Sequence, residues 1–158
     1  MKKNLCIAAI VLLAMAVSFG SCNCRKKEAC KDEKTSCSVV KADSLLGLFV
    51  NAWNSGKTET LKGMIAPDAV ILSKDWKAEG IDSVMVKWIL KEVPNDHNLA
   101  TTPIKTCTCC CCISYTGYYT IDITEKKGIR KETGNFTFIW KKQEDKSWKL
   151  EVMHIAEF

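Results

Sequence analysis

The 158-residue sequence lacks any apolar run long enough to cross a bilayer. Its longest apolar run, Leu5 to Val17, is about 13 residues against the roughly 20 that a spanning helix needs. It also lacks an internal repeat, and it has no basic run interleaved with aromatic residues. The lysine and arginine groups at 126–127, 130–131 and 141–142 sit beside expected turns and read as solvated ends, which excludes a nucleic-acid footprint. The net charge of +5 is modest, and two of its units are Lys2 and Lys3. Histidine is scarce at two residues, so general acid–base or metal chemistry through imidazole has only His97 and His154 to draw on. Cysteine, by contrast, is abundant at ten residues.

What is present begins with an address. Lys2 and Lys3 precede the apolar run, and Phe19-Gly20-Ser21-Cys22 follows, the order of a secretory signal peptide. The segment resembles a bacterial lipoprotein signal, in which a cysteine after two small residues is lipidated and becomes the first residue; here that is Cys22. Phe19 departs from the usual aliphatic residue three places earlier, and ordinary signal cleavage nearby is the alternative. Either way the chain is expected to be exported. The lipoprotein resemblance adds anchoring to a bacterial membrane, on the periplasmic or cell-surface face. Residues 22–38 are polar and lysine-rich, with Cys24, Cys30 and Cys37, and read as a tether.

A folded domain is expected over 39–158. Ala42, Leu45, Leu46, Phe49, Ala52 and Trp53 recur at helical spacing, and Asn54-Ser55-Gly56 ends the helix. A short second helix over 58–65 stops before Pro67, and Asp68 to Leu72 reads as a strand. Trp76 to Gly80 is either a short return strand or a loop. Asp82 is the expected N-cap of a third helix with the stripe Val84, Met85, Trp88 and Ile89, closed by Pro94-Asn95-Asp96-His97. From Ile113 to Thr124, apolar and polar residues alternate as in a sheet wet on one side. The last stretch reads as a hairpin, with Phe136, Phe138 and Trp140 facing Trp148, Leu150, Val152, His154 and Ala156 across a turn at 143–147. Helices first and an antiparallel meander last define the α+β class.

Several of these residues together resemble a family. Ala52-Trp53-Asn54-Ser55-Gly56, Ala66-Pro67-Asp68-Ala69-Val70, Gly80-Ile81-Asp82 and the closing pattern of 134–140 and 148–150 are similar to a SnoaL-like domain of the nuclear transport factor 2-like superfamily, the cystatin-like α+β cone. The resemblance implies a curved, mostly antiparallel sheet wrapped on three N-terminal helices, with one pocket. It carries no reaction with it, because the fold hosts isomerases, cyclases, dehydratases and non-catalytic binders. It also implies a homodimer through sheet faces. Tyr115, Tyr119, Val152 and His154 by strand alternation, with Trp53 and Trp88 from the helices, are the residues expected to line the pocket that the resemblance implies. The leading reading is a non-catalytic binder of a small, partly apolar molecule, with no cofactor. The alternative is an enzyme taking a proton next to a carbonyl, with His154 as base and Tyr115 or Tyr119 stabilising the enolate oxygen. A core histidine with space-filling tryptophans is the plainer account of the same residues. Asp68 is assigned to turn chemistry and His97 to an exposed loop.

Cys107, Cys109, Cys110, Cys111 and Cys112 form the most unusual run. By comparison with the family's element order, 109–112 fall at or near a hairpin turn that lacks the usual Gly, Asn or Asp. Three readings stay open: disulfides, including pairs with the tether cysteines; a Cu(I) or Zn(II) site on soft thiolates, which would need a turn or bulge to converge; or small hydrophobes in a reducing niche.

Overall fold

The computed structural model describes residues 42–158, with side chains from Ser44 onward. The expected signal peptide, the lipidation site Cys22 and the tether lie outside the described residues. Helix α1 (Ala42–Asn54) buries Leu45, Leu46, Phe49, Ala52 and Trp53. It ends where Gly56 takes φ 64°, so that Gly56 N–H bonds the Trp53 carbonyl and Lys57 N–H the Ala52 carbonyl, both at 2.9 Å. This is the glycine-capped ending that closes many helices. Helix α2 (Thr58–Met64) buries Leu61 and passes directly into strand β1 (Ile65–Leu72). Trp76 to Gly80 resolves as a return strand, β2 (Lys77–Glu79), antiparallel to β1.

The third helical stretch runs from α3 (Ile81–Val84) through a π-helical segment (Met85–Ile89) into α4 (Leu90–Glu92). Val84, Met85, Trp88 and Ile89 are buried, as their spacing suggests. Asp82 is not the cap: Gly80, at φ 77°, occupies that position, and exposed Asp82 lies in the first turn without a side-chain capping bond. An acidic residue there still faces the positive end of the helix.

Four long strands follow: β3 (Asp96–Thr108), β4 (Cys112–Glu125), β5 (Gly128–Lys142) and β6 (Trp148–Glu157). The sheet order is β2-β1-β6-β5-β4-β3, antiparallel throughout except for the parallel pair β1–β6. This is an open, mixed α+β sheet with helices packed on it, the expected cone. Phe49 of α1 meets the inner face through Phe138 at 5.2 Å between ring centroids and Trp140 at 6.5 Å, both edge-on. Such aromatic contacts add to area burial in fixing how helix and sheet register.

Of the register shifts in the sheet, two overturn strict alternation around the pocket. On β6, Leu150 pairs with Trp140 and Val152 with Ile139, leaving Glu151 as an extra residue. A bulge of this kind reverses which side chains face inward. Leu150, Met153 and Ile155 therefore turn toward the core, while Val152 and His154 turn to the other face, and His154 is exposed. On β3, His97 pairs with Asp122 and Ala100 with Thr120, so Asn98 and Leu99 oppose one residue. His97 thus belongs to a strand rather than a loop, although it is exposed.

Candidate functional site: an aromatic pocket with a buried carboxyl

A cavity of about 450 Å³ opens between the helices and the inner sheet face. Its apolar wall comes from both layers. Phe49 and Trp53 reach it from α1, Trp88 from the π-helical segment, and Phe136 and Phe138 from β5. Trp53 and Trp88 have ring centroids 4.9 Å apart, and Phe49 stacks on Trp88 at 5.9 Å. The volume and the aromatic lining fall in the range of small-molecule sites.

The opposite side is polar and is built by register. Paired residues on neighbouring antiparallel strands share a face, so Ile121 of β4 brings Glu132 of β5 with it, and Ile123 brings Arg130. Tyr119 pairs with Gly134, where a Cβ would collide with the Tyr119 ring and with the Ala156 carbonyl oxygen. The missing side chain is what lets the ring lie across β5 and donate from its hydroxyl to Glu132 Oε1 at 2.7 Å. Arg130 then gathers three carboxylates: Glu125 at 2.7 Å, Glu132 at 3.0 Å and Glu157 at 3.3 Å. Burial, followed by the bond to Glu132, pushes the Tyr119 hydroxyl well above its ordinary range.

Asp96 stands apart from this network. It is the first residue of β3, pairs with Ile123, lines the cavity and is only 6% exposed. Its Oδ1 is buried without a protein hydrogen-bond partner, and so is the indole Nε1 of Trp53 on the same cavity. Burial pushes the Asp96 carboxyl up to about 7; the carboxylates of Glu92 and Glu132 add to the rise, while Arg130 and Lys91 oppose it. The bulge at Asn98 and Leu99 is essential to this placement. It lets Asp96 and Thr101, five positions apart, both line the cavity. Asn54 holds the bulge by accepting from Leu99 N–H at 2.7 Å and donating to the Leu99 carbonyl at 2.9 Å. Asn98, at φ 54°, donates to Asp122 at 2.9 Å.

Of the residues expected at the pocket, the structure brings together Trp53, Trp88 and Tyr119. Tyr115 is fully buried on the inner face but lies outside the cavity lining. Val152 and His154 are off it, carried away by the bulge at Glu151, so the pairing of His154 with a tyrosine is corrected. Asp68 is exposed on β1, away from the cavity. Asp96 was missed because its segment reads as a helix-closing loop. The only sequence signal for it is a lone carboxylate between Val93 and Leu99, both of which pack on the core.

The cysteine run forms the β3–β4 turn, as the element order suggests: Cys109 N–H bonds the Cys112 carbonyl at 2.8 Å. Cys107, Cys109, Cys110 and Cys111 are exposed and Cys112 is partly buried. Among the described residues, no group of three or more His, Cys, Asp or Glu side chains is placed to hold a metal ion.

No protein-family model matches the sequence, and no curated protein matches it. Solved structures do match by shape. A nuclear transport factor 2-like superfamily protein from Salmonella enterica serovar Typhimurium superposes with TM-score 0.63 at 7% identity, covering 72% of this chain and 86% of that one. A ketosteroid isomerase-like protein from Erwinia carotovora atroseptica gives 0.63 at 12%, covering 74% and 93%. A protein with a cystatin-like fold from Novosphingobium aromaticivorans gives 0.57 at 10%, covering 73% and 78%. At these identities the likeness concerns the fold.

Proposed function

Given a nuclear transport factor 2-like fold, with its pocket between helices and sheet, we propose that this chain binds a small, partly apolar molecule there. The buried Asp96 carboxyl is the polar anchor. The observation that carries the reading is the unpartnered Oδ1 of Asp96 inside an aromatic cavity of about 450 Å³. A buried polar atom without a partner is costly, and a ligand hydroxyl or amine that supplies the missing bond recovers that cost on binding. Trp53 Nε1 offers a donor to a ligand acceptor in the same way. The binder is placed on the outer side of a bacterial membrane through Cys22, which the lipoprotein-like leader supports.

The test is native mass spectrometry of the full-length chain, followed by titration of the released molecule against tryptophan fluorescence from Trp53 and Trp88. A retained organic mass that quenches the tryptophans, and whose affinity drops about tenfold in Asp96→Asn, is the expected result. Equal binding by the variant would remove Asp96 as the anchor, and no retained or titratable molecule would remove the reading.

A second reading rests on the same carboxyl. A base titrating near 7 inside an apolar pocket suits proton abstraction next to a carbonyl, and one structure with this fold is described as ketosteroid isomerase-like. Asp96 would then take the role first given to His154. The binder stands ahead because the Tyr119 hydroxyl donates to Glu132, leaving its proton committed rather than aimed at a substrate oxygen. Turnover of a ketone substrate that disappears in Asp96→Asn while binding persists would reverse that order.

A further inference from the structure

The cysteine turn is not absorbed by the pocket. We propose that Cys109 and Cys111 are a thiol–disulfide exchange pair that closes within the β3–β4 turn and reacts with small or protein disulfides. The two Sγ atoms lie 3.8 Å apart at the exposed tip of the hairpin. Residues two apart on a regular strand are about 6.6 Å apart along it. The turn, closed by Cys109 N–H to Cys112 O at 2.8 Å and docked by Lys142 N–H to Cys111 O at 2.8 Å, is what brings them into reach.

Chemistry separates this pair from its neighbours. Thiolate, rather than thiol, attacks disulfides. Cys112 is partly buried, and burial, followed by the nearby Cys109 and Cys111, pushes its thiol up to about 11, so it stays protonated and inert. Cys111, exposed at the tip, is assigned as the attacking sulfur; Lys141 nearby is held by Glu151 at 2.9 Å. In the reaction the Cys111 thiolate displaces one thiolate from an incoming disulfide RS–SR and forms a mixed disulfide. The Cys109 thiolate then attacks the Cys111 sulfur, forming the Cys109–Cys111 bond and releasing the second RS⁻. The two protons from the cysteines end on the two departing thiols, and two electrons pass from the pair to RS–SR. A disulfide spanning so short a loop removes little chain entropy from the unfolded state, so the fold does little to hold it closed. That makes it labile rather than structural.

The full-length chain, fully reduced and then equilibrated in glutathione disulfide and glutathione at varied ratios, provides the test. After acid quenching and alkylation, mass spectrometry reads the tryptic peptide 106–126, which holds all five cysteines of the cluster. The expected result is a reversible loss of two hydrogens from this peptide, with the oxidised fraction falling at least about tenfold in Cys109→Ser and in Cys111→Ser and persisting in Cys112→Ser. Circular dichroism on each variant confirms that the sheet remains. Oxidation that survives both serine variants, that is abolished by Cys112→Ser, or that links the peptide to Cys24, Cys30 or Cys37 would overturn the proposal. So would a peptide that stays reduced in excess glutathione disulfide.

Discussion

At the scale of single residues, Asp96 is where burial and charge conflict most. Its carboxyl binds a proton more tightly in the fold than in the unfolded chain, so the folded state holds the extra proton between the ordinary carboxylate range and about 7. Stability from this group is therefore fully present at low pH and is lost as pH rises toward 7, remaining lost above it. The loss, for a rise from 3.8 to about 7, is on the order of 4 kcal/mol. Asp96→Asn mimics the protonated group and should raise the melting temperature at pH 8 by about 10 °C while leaving it unchanged near pH 4. Melting curves across this range check it, and an equal shift at both pH values would contradict a titrating carboxyl. Gly134 shows the converse dependence, in which an absent side chain places another by leaving room for the Tyr119 ring.

At the scale of elements, both strand bulges decide what the pocket contains. The extra residue Glu151 on β6 sends His154 outward and Ile155 inward, and Ile155 and Glu157 reach the cavity as a result. The bulge on β3 does the same service for Asp96 and Thr101, and here a side chain from another element holds it. Asn54, at the last turn of α1, satisfies both the N–H and the carbonyl of Leu99. Asn54→Ala should cost about 1–2 kcal/mol in urea unfolding, since two hydrogen bonds at an exposed site are lost. It should also speed amide exchange at Leu99 selectively, because the bulge then opens without global unfolding. Uniform exchange across β3 would show that the strand, rather than Asn54, holds the bulge.

At the scale of the molecule, the helices close an apolar volume against the sheet while the ends of β4, β5 and β6 meet at Arg130. The guanidinium is partly exposed, so its three ion pairs are screened and contribute little each. Their effect is to keep three carboxylates compatible beside a fourth, Asp96, whose carboxyl Arg130 pulls downward. Arg130→Ala should cost no more than about 1 kcal/mol of stability. The midpoint of the Asp96 titration, followed by carbon-detected NMR of its carboxyl, should move upward. An unmoved midpoint would mean that Arg130 does not act on this group.

The amino-acid sequence by itself determined the α+β class, the helix α1 stripe from Leu45 to Trp53, the burial of Trp88 and the β5–β6 hairpin. Each rests on periodicity or order along a continuous segment, which survives without knowledge of partners. Only the tertiary structure decided the site. A bulge inserts one residue and reverses every inward–outward assignment beyond it, and it is stabilised by contacts distant in sequence, such as Asn54 on Leu99. His154 therefore left the pocket and Asp96 entered it. The close approach of Cys109 and Cys111 likewise depends on a turn whose geometry no residue preference announces.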